Sequence, residues 1–316
     1  MRRALLVGID TYDNFTCLRG CVNDVKALTP LFSRNEDDSP NFEVVSLTSE
    51  STRITKASLA TNISALLAPG ADVAVFYFAG HGCEESSDVT LCTADAQDGD
   101  VGVAFSRVLA QIRESKVGEV IVILDCCFSG GAGGSGVVGS DLSLLRPGVA
   151  ILTASRADQP SGEHAGQGIF SFYLAGALDG GASDVLGDVT VASAYSYLSE
   201  SLGAWNQRPT FKSNLERLNA IRKCNPAVPL PMLRRLSSIF PEEGYMFPLD
   251  PSYEPDAEPD HKEHEEVFSV LQRFRAAKLV EPVGNDHMYY AAMYSLSCRL
   301  TPLGRHYWRI AARGRL

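Results

Sequence analysis

Two residues of this chain could carry out covalent chemistry together. His81 stands in Ala79-Gly80-His81-Gly82, and Cys127 stands in Asp125-Cys126-Cys127-Phe128-Ser129-Gly130, 46 residues further on. A thiolate attacks carbonyl carbon well, and a neighbouring imidazole can take its proton and pass it to a leaving amine. Each residue closely follows an apolar run: Val73 to Phe78 before the histidine, Val120 to Leu124 before the cysteine. Runs that are apolar at every position read as strands buried on both faces. In open α/β sheets the carboxyl edge of such strands is where ligands bind, so neighbouring strands would bring both groups to one edge. Gly80, Gly82 and Gly130 allow sharp turns and a close approach of substrate. The backbone N–H groups of Gly82 and Cys127 are natural donors to an oxyanion. Cys126 is expected to point back into the core as a small apolar residue. Taken alone, His81 reads as a structural histidine, but the Gly-His-Gly context opposite a cysteine elbow reverses that. Cys83 is the rival partner, as a His-x-Cys metal pair without further ligands.

The surrounding segments supply the elements that must position this pair. Ala4 to Ile9 reads as a short strand ended by Asp10 and a polar turn, Phe42 to Leu47 as a second strand, and Gly148 to Thr153 as a fifth. Cys21 to Phe32, Ile54 to Leu67 and Val103 to Ile112 carry helical spacing between them. Thr90 to Ala94 reads as a short excursion strand, followed by an acidic turn from Asp95 to Asp100. The β-α-β-α-β-α-β order implies an α/β fold: a mostly parallel sheet with helices on both faces. Ile169 to Leu178 and Val191 to Leu202 read as further helices, and Pro209 to Lys212 as an edge strand. Gly130 to Gly139 reads as a surface linker, since the Gly-Lys-Ser/Thr ending of a phosphate loop is missing.

A proline-spaced stretch, Asn225 to Pro231, marks the clearest boundary. The segments read as a first domain over 1–224, a proline-rich and acidic linker over 225–266, and a small domain over 267–316. Pro241 to Glu266 holds ten Asp or Glu against one Lys and is expected to be extended or poorly ordered. From Val267 on, eight Lys or Arg face two acids. A helix from Val267 to Leu279, strands at Leu279 to Val283 and at Tyr289 to Leu296 or beyond, and a last helix after Thr301 would make a small winged-helix-like unit.

The chain has 316 residues and a formal net charge of −10, which argues against a nucleic-acid binder as a whole. Eight unevenly spaced cysteines, two of them adjacent, make a poor disulfide framework and point to a reducing, cytoplasmic setting. A run near twenty apolar residues is absent, so no membrane partner is expected.

At the histidine and cysteine motifs the chain resembles the caspase-like cysteine peptidases, and within them the metacaspase and bacterial orthocaspase branch. His81-Gly82 and Asp125-x-Cys127-x-Ser129-Gly130 carry the likeness, with Leu5-Leu6-Val7-Gly8-Ile9 and Gly20-Cys21-x-Asn23-Asp24 adding to it over roughly residues 1 to 221. The resemblance implies a six-stranded sheet, five strands parallel and one antiparallel. It implies a protease with His81 and Cys127 as its catalytic pair. It also implies cleavage after Arg or Lys, with Asp24 and Asp125 in the first specificity pocket and Cys21 lining it. A carboxylate pair suits a guanidinium through charge-assisted bidentate bonds. The competing reading has Asp24 capping its helix and Asp125 merely ending its strand. One departure is Ala79, where the family often has Ser, so a pocket hydrogen bond is expected to be missing. Calcium binding is known in the family, and Asp95, Asp98 and Asp100 are the acids at hand. They read rather as a solvated turn, so no metal or cofactor is expected. The loop from Gly130 to Pro147 holds one basic residue, Arg146, before a proline, so activation is expected to proceed without self-cleavage there. Small winged-helix-like units fused to such domains in bacterial defence proteins act as adaptors or regulators, so residues 226–316 are expected to dock a protein partner or restrain the protease. The rivals are a catalytically silent adaptor with the same fold and a DNA-binding regulator.

Overall fold

The structure is a computed structural model describing residues 1–316 except 86–87, 127, 130–144, 155–162, 165, 204–208, 256–258 and 260. Cys127 and the glycine-rich linker therefore lie outside the described residues. The chain forms two compact units, Met1–Ser183 with Asp188–Asn225, and Asp184–Gly187 with Pro226–Leu316.

The first unit runs β1 (Arg2–Gly8), α1 (Cys21–Ser33), β2 (Glu43–Thr48), α2 (Lys56–Leu66), β3 (Val73–Ala79), β4 (Gly82–Glu85), β5 (Asp88–Gln97), β6 (Asp100–Ala104) and α3 (Phe105–Glu114). It continues with β7 (Glu119–Asp125), β8 (Phe128–Ser129), β9 (Val149–Thr153), β10 (Glu163–His164), β11 (Gln167–Gly168), α4 (Ile169–Gly176), β12 (Asp188–Thr190), α5 (Val191–Gly203), β13 (Thr210–Asn214) and β14 (Ala220–Lys223). Six strands form one sheet in the order β13-β9-β7-β3-β1-β2, with β13 alone antiparallel. That is the α/β sheet of five parallel strands and one antiparallel strand expected from the sequence.

The central strands are apolar at every position because each face has its own core. On β3, Ala74, Phe76 and Phe78 pack to one side, while Val73, Val75 and Tyr77 pack to the other. β7 repeats the alternation, with Val120, Val122 and Leu124 opposite Ile121 and Ile123. Residues of α2 and α3 cover the first face, and α1, α4 and α5 cover the second. From β1 the chain moves outward to β2, then returns past β1 to β3, β7 and β9. This makes a topological switch point at the carboxyl ends of β1 and β3.

Several boundaries differ from the sequence reading. The short excursion strand is the ten-residue β5, and the acidic turn after it is a hairpin into β6, which takes residues assigned to the start of the next helix. Together with β4 and β8 these make a second, four-stranded sheet.

The second unit holds α6 (Leu230–Arg234), α7 (Leu236–Ile239), β15 (Phe247–Pro248), α8 (Lys262–Ala276), β16 (Val280–Val283), α9 (Met288–Met293), β17 (Ser297–Leu300) and α10 (Pro302–Ala312). Its sheet has the order β15-β17-β16 and is antiparallel throughout. Two expectations are corrected here. Residues 225–266 are not an extended linker: Leu233, Leu236, Phe240 and Leu249 are buried in the core of this unit, and α8 begins at Lys262. Leu233, Leu236 and Phe240 lie before the acidic run and, of the four, Leu249 alone stands within it, so prolines and polar residues around them masked the pattern. Likewise, Tyr289 to Leu296 is not a strand. Met288, Ala291 and Ala292 recur at helical spacing and bury one face of α9, so the second hairpin strand is displaced to Ser297–Leu300.

Candidate active site

His81 follows the carboxyl end of β3 and Asp125 ends β7, while Cys21 and Asp24 stand in the first turn of α1. β3 and β7 pair in parallel with Ala79 opposite Asp125, and beyond them β4 and β8 pair in parallel with Gly82 opposite Phe128. Both registers have the same offset of 46 residues, which is the spacing between His81 and Cys127. Cys126 is buried in the core, as expected.

His81 is gripped by one loop, residues 12–16, that follows β1. The Nε2 of His81 lies 2.7 Å from the carbonyl oxygen of Thr16. A carbonyl can only accept, so Nε2 carries the proton and Nδ1 presents its lone pair. The Tyr12 hydroxyl accepts the His81 backbone N–H at 2.8 Å. The Tyr12 ring lies 4.8 Å from the imidazole and the Phe15 ring 6.1 Å. The loop is tied to β5, where Asp13 N–H donates to Ala94 O and the Asn14 amide to Ala96 O, both at 2.9 Å. The polar turn after Asp10 thus acts as a clamp, which sequence reasoning missed. Its signal was two aromatics in a turn otherwise polar.

Asp24 and Asp125 meet at the N-terminus of α4. Gly168, which caps that helix, donates its N–H to Asp24 Oδ1 at 3.0 Å. The Ser171 hydroxyl donates to Asp125 Oδ2 at 2.5 Å. The Tyr77 hydroxyl lies 2.6 Å from Ser171 Oγ. Because Ser171 uses its proton on the carboxylate, Tyr77 is the donor to Ser171. A Cβ on Gly168 would stand 2.9 Å from Asp125 Oδ2 and 3.2 Å from Asp24 Oδ2, so both carboxylates crowd one glycine. Orphan N–H groups and the dipole of the helix start favour negative charge there. Burial nevertheless raises the Asp125 carboxyl to about 6, against the pull of its Ser171 hydrogen bonds. Asp24 is buried and does not cap its own helix: Asp10 does that, its carboxylate accepting the N–H of Cys21 at 2.9 Å and of Val22 at 3.3 Å. Cys21 is buried beside these acids, and burial pushes its thiol upward, with Asp10, Asp125 and Asp24 adding to the rise. Ala79 ends β3 opposite Asp125, and Ser171 brings a hydroxyl to Asp125 from another element. Gly168 and Ser171 were also missed. A glycine entering an apolar helix with Ser in its first turn was the available sign.

Two acids of the β5–β6 hairpin have partners within the protein. Asp95 Oδ1 already accepts from the Lys56 backbone N–H at 3.0 Å and the Thr93 hydroxyl at 2.7 Å, and Asp100 pairs with the Lys56 ammonium. Among the described residues, no group of three or more His, Cys, Asp or Glu stands together as metal ligands. Cys83 Sγ lies 2.9 Å from Cys92 Sγ, facing across β4 and β5. Among the described residues, no helix is long and apolar enough to cross a membrane.

An open α/β sheet of this strand order, with histidine and cysteine motifs on adjacent carboxyl ends, defines the architecture of a caspase-fold cysteine peptidase. The caspase domain family matches residues 1–219, and the chain belongs to that family. It is a hydrolase that acts on protein substrates. The crystal structure of protein GSU0716 from Geobacter sulfurreducens is similar to this chain at 18% identity and a TM-score of 0.53, covering 71% of this chain and 97% of that one. Caspase-1 from Spodoptera frugiperda is similar at 14% identity and a TM-score of 0.48, covering 71% and 90% respectively. No curated protein matches the chain.

Proposed function

We propose that this peptidase is of the metacaspase type and cuts proteins after Arg in preference to Lys. In this reading, His81 Nδ1 takes the Cys127 thiol proton and the thiolate adds to the scissile carbonyl carbon. The N–H groups of Gly82 and Cys127 receive the oxyanion. The imidazolium then protonates the departing amine, leaving a thioester that water cleaves with His81 again as base. The shared 46-residue register offset on both sides of the pair supports the dyad. Two acids crowded on one helix N-terminus support the basic specificity, because among the described residues Asp125 has no Lys or Arg ion-pair partner and a substrate guanidinium would supply one. A panel of fluorogenic peptides varied at the residue before the scissile bond tests this, with Cys127→Ala as the blank. Turnover after Arg that vanishes in the variant is the expected result, and preferential cleavage after Asp would overturn it.

Activation without a cut in the loop after β7 is part of the same reading. Arg146, the basic residue of that loop, is pinned: its Nε donates to Ile112 O at 2.8 Å and its Nη2 to Val117 O at 2.7 Å. Mass spectrometry of the active enzyme is expected to show residues 130–147 intact. The second unit is read as a module that docks a protein partner or restrains the protease. Its α9 exposes Tyr289, Tyr290 and Met293, which supports a contact surface. A chain ending at Asn225 with unchanged activity and activation would remove that role.

A further inference from the structure

We infer that Ser171, backed by Tyr77, is the residue that sets the charge and aim of the specificity acid Asp125, and so the enzyme's discrimination for Arg. The inference rests on the basic-specificity reading above. It comes from a buried chain of hydroxyls with a direction. Tyr77 is 0% exposed in the middle of the sheet and Ser171 is 1% exposed in the first turn of α4. The Tyr77 hydroxyl donates to Ser171 Oγ at 2.6 Å, and Ser171 donates to Asp125 Oδ2 at 2.5 Å. A serine hydroxyl has one proton, so accepting from Tyr77 commits that proton to the carboxylate. Buried hydroxyls are retained where both partners are satisfied, and here each is.

The chain acts on one acid of the pair. Asp24 is held differently, by the Gly168 N–H. A backbone N–H is present whatever the side chain, and Asp125 has one from Ser171 too, whereas the Ser171 hydroxyl on Asp125 is a choice of residue. A hydrogen bond to the charged form favours ionisation, and burial opposes it. Without the Ser171 hydroxyl, Asp125 would take up a proton at higher pH and lose its charge for the guanidinium. One oxygen of Asp125 is also fixed by this bond, which orients the other. Lysine, a point charge on a flexible stem, tolerates a misaimed carboxylate better than the planar fork of arginine. Ser171 therefore affects Arg more than Lys.

The experiment compares wild type, Ser171→Ala, Ser171→Thr and Tyr77→Phe on matched Arg and Lys peptides from pH 5 to 8.5. Ser171→Ala is expected to raise KM for the Arg peptide about tenfold at pH 7, the scale of one lost hydrogen bond to a charged group. Its kcat should stay within about twofold, and the pH midpoint of KM should move up by about one unit. The Arg-to-Lys preference narrows, Ser171→Thr restores it, and Tyr77→Phe shifts it the same way by a smaller factor. In an Asp125→Asn background, Ser171→Ala should change KM no further. A folded Ser171→Ala enzyme whose KM profile superimposes on wild type overturns the inference while leaving the Arg preference standing. A wild-type enzyme indifferent to the residue before the cut overturns that preference and the inference with it.

Discussion

His81 and the Asp24–Asp125 pair stand at the same sheet edge and are held by opposite kinds of contact. Every group on His81 described above is neutral: a carbonyl at Nε2, a hydroxyl on its backbone, two aromatic rings beside it. The acids are met by donors at a helix N-terminus, the Gly168 N–H on Asp24 and the Ser171 hydroxyl and N–H on Asp125. The difference fits the tasks proposed for them. A base that gains and loses a proton in each turnover needs its tautomer fixed and its charge left free to change. A carboxylate that recognises a cation must stay charged before the cation arrives, which costs desolvation and calls for donors. Breaking either holder should leave a different kinetic mark, kcat for the clamp and KM for the acids.

The largest effect belongs to the imidazole itself. His81→Ala is expected to lower kcat/KM on an Arg peptide on the order of 1000-fold, the range of a lost general base. A variant retaining more than a tenth of wild-type turnover would remove His81 from that role.

Next comes Asp125→Asn, which should raise KM for Arg peptides about a hundredfold, the scale of truncating one partner of a buried ionic contact. The same change should stabilise the fold at pH 8. Burial raises this carboxyl from 3.8 to about 6, so the folded state favours the protonated form. That contribution is full below about pH 4 and is lost as pH rises through about 6, a difference on the order of 2–3 kcal/mol. Asparagine has no such loss. Thermal melts of the two proteins should therefore converge near pH 4, separate as pH rises to about 6 and stay apart above it; parallel melting temperatures from about pH 4 to 6 would contradict the burial argument.

How much of this was legible in the sequence follows from what each feature depends on. The central strands were plain because burial on both faces makes β3 and β7 apolar at every position. Residue type and spacing singled out His81 and Cys127, the family resemblance singled out Asp24 and Asp125, and the structure brings those two acids together at Gly168. The holders were not legible, because they act through backbone or through small side chains. The Thr16 carbonyl is independent of its side chain, and Ser171 looks like any serine in a helix until Asp125 is brought to it from 46 residues earlier. The long β5–β6 hairpin was missed for another reason: Asp95 to Asp100 reads as one polar turn, whereas the turn is Asp98-Gly99 and cross-strand pairing of Gln97 with Asp100 extends the strands to it. In the second unit, Leu233, Leu236, Phe240 and Leu249 are scattered among prolines and polar residues, and their burial is set by tertiary packing.

A finer cut at the acids is Gly168→Ala. The added carbon would stand 2.9 Å from one carboxylate oxygen and 3.2 Å from the other, so both acids must give way. A shift of a few tenths of an ångström in a binding group should raise KM about tenfold and leave kcat alone. Equal KM values for glycine and alanine would show that the carboxylates are not the cation's partners.

The smallest effect tests the clamp. Tyr12→Phe keeps the ring 4.8 Å from the imidazole and removes only the hydroxyl that accepts the His81 N–H. The backbone at this point has little freedom to compensate, since a Cβ on Gly80 would stand 2.7 Å from that hydroxyl, so glycine is what lets strand and tyrosine approach. Losing the bond leaves the Thr16 contact to hold the tautomer, and His81 keeps its base function with looser aim. The expected cost is about fivefold in kcat, the worth of one ordinary hydrogen bond, with KM within about twofold. Tyr12→Leu, which also removes the ring, should cost more in kcat and still spare KM for the Arg peptide. If instead both substitutions raise KM and leave kcat unchanged, the loop serves the acids and not the imidazole, and the division of labour between the two holders fails.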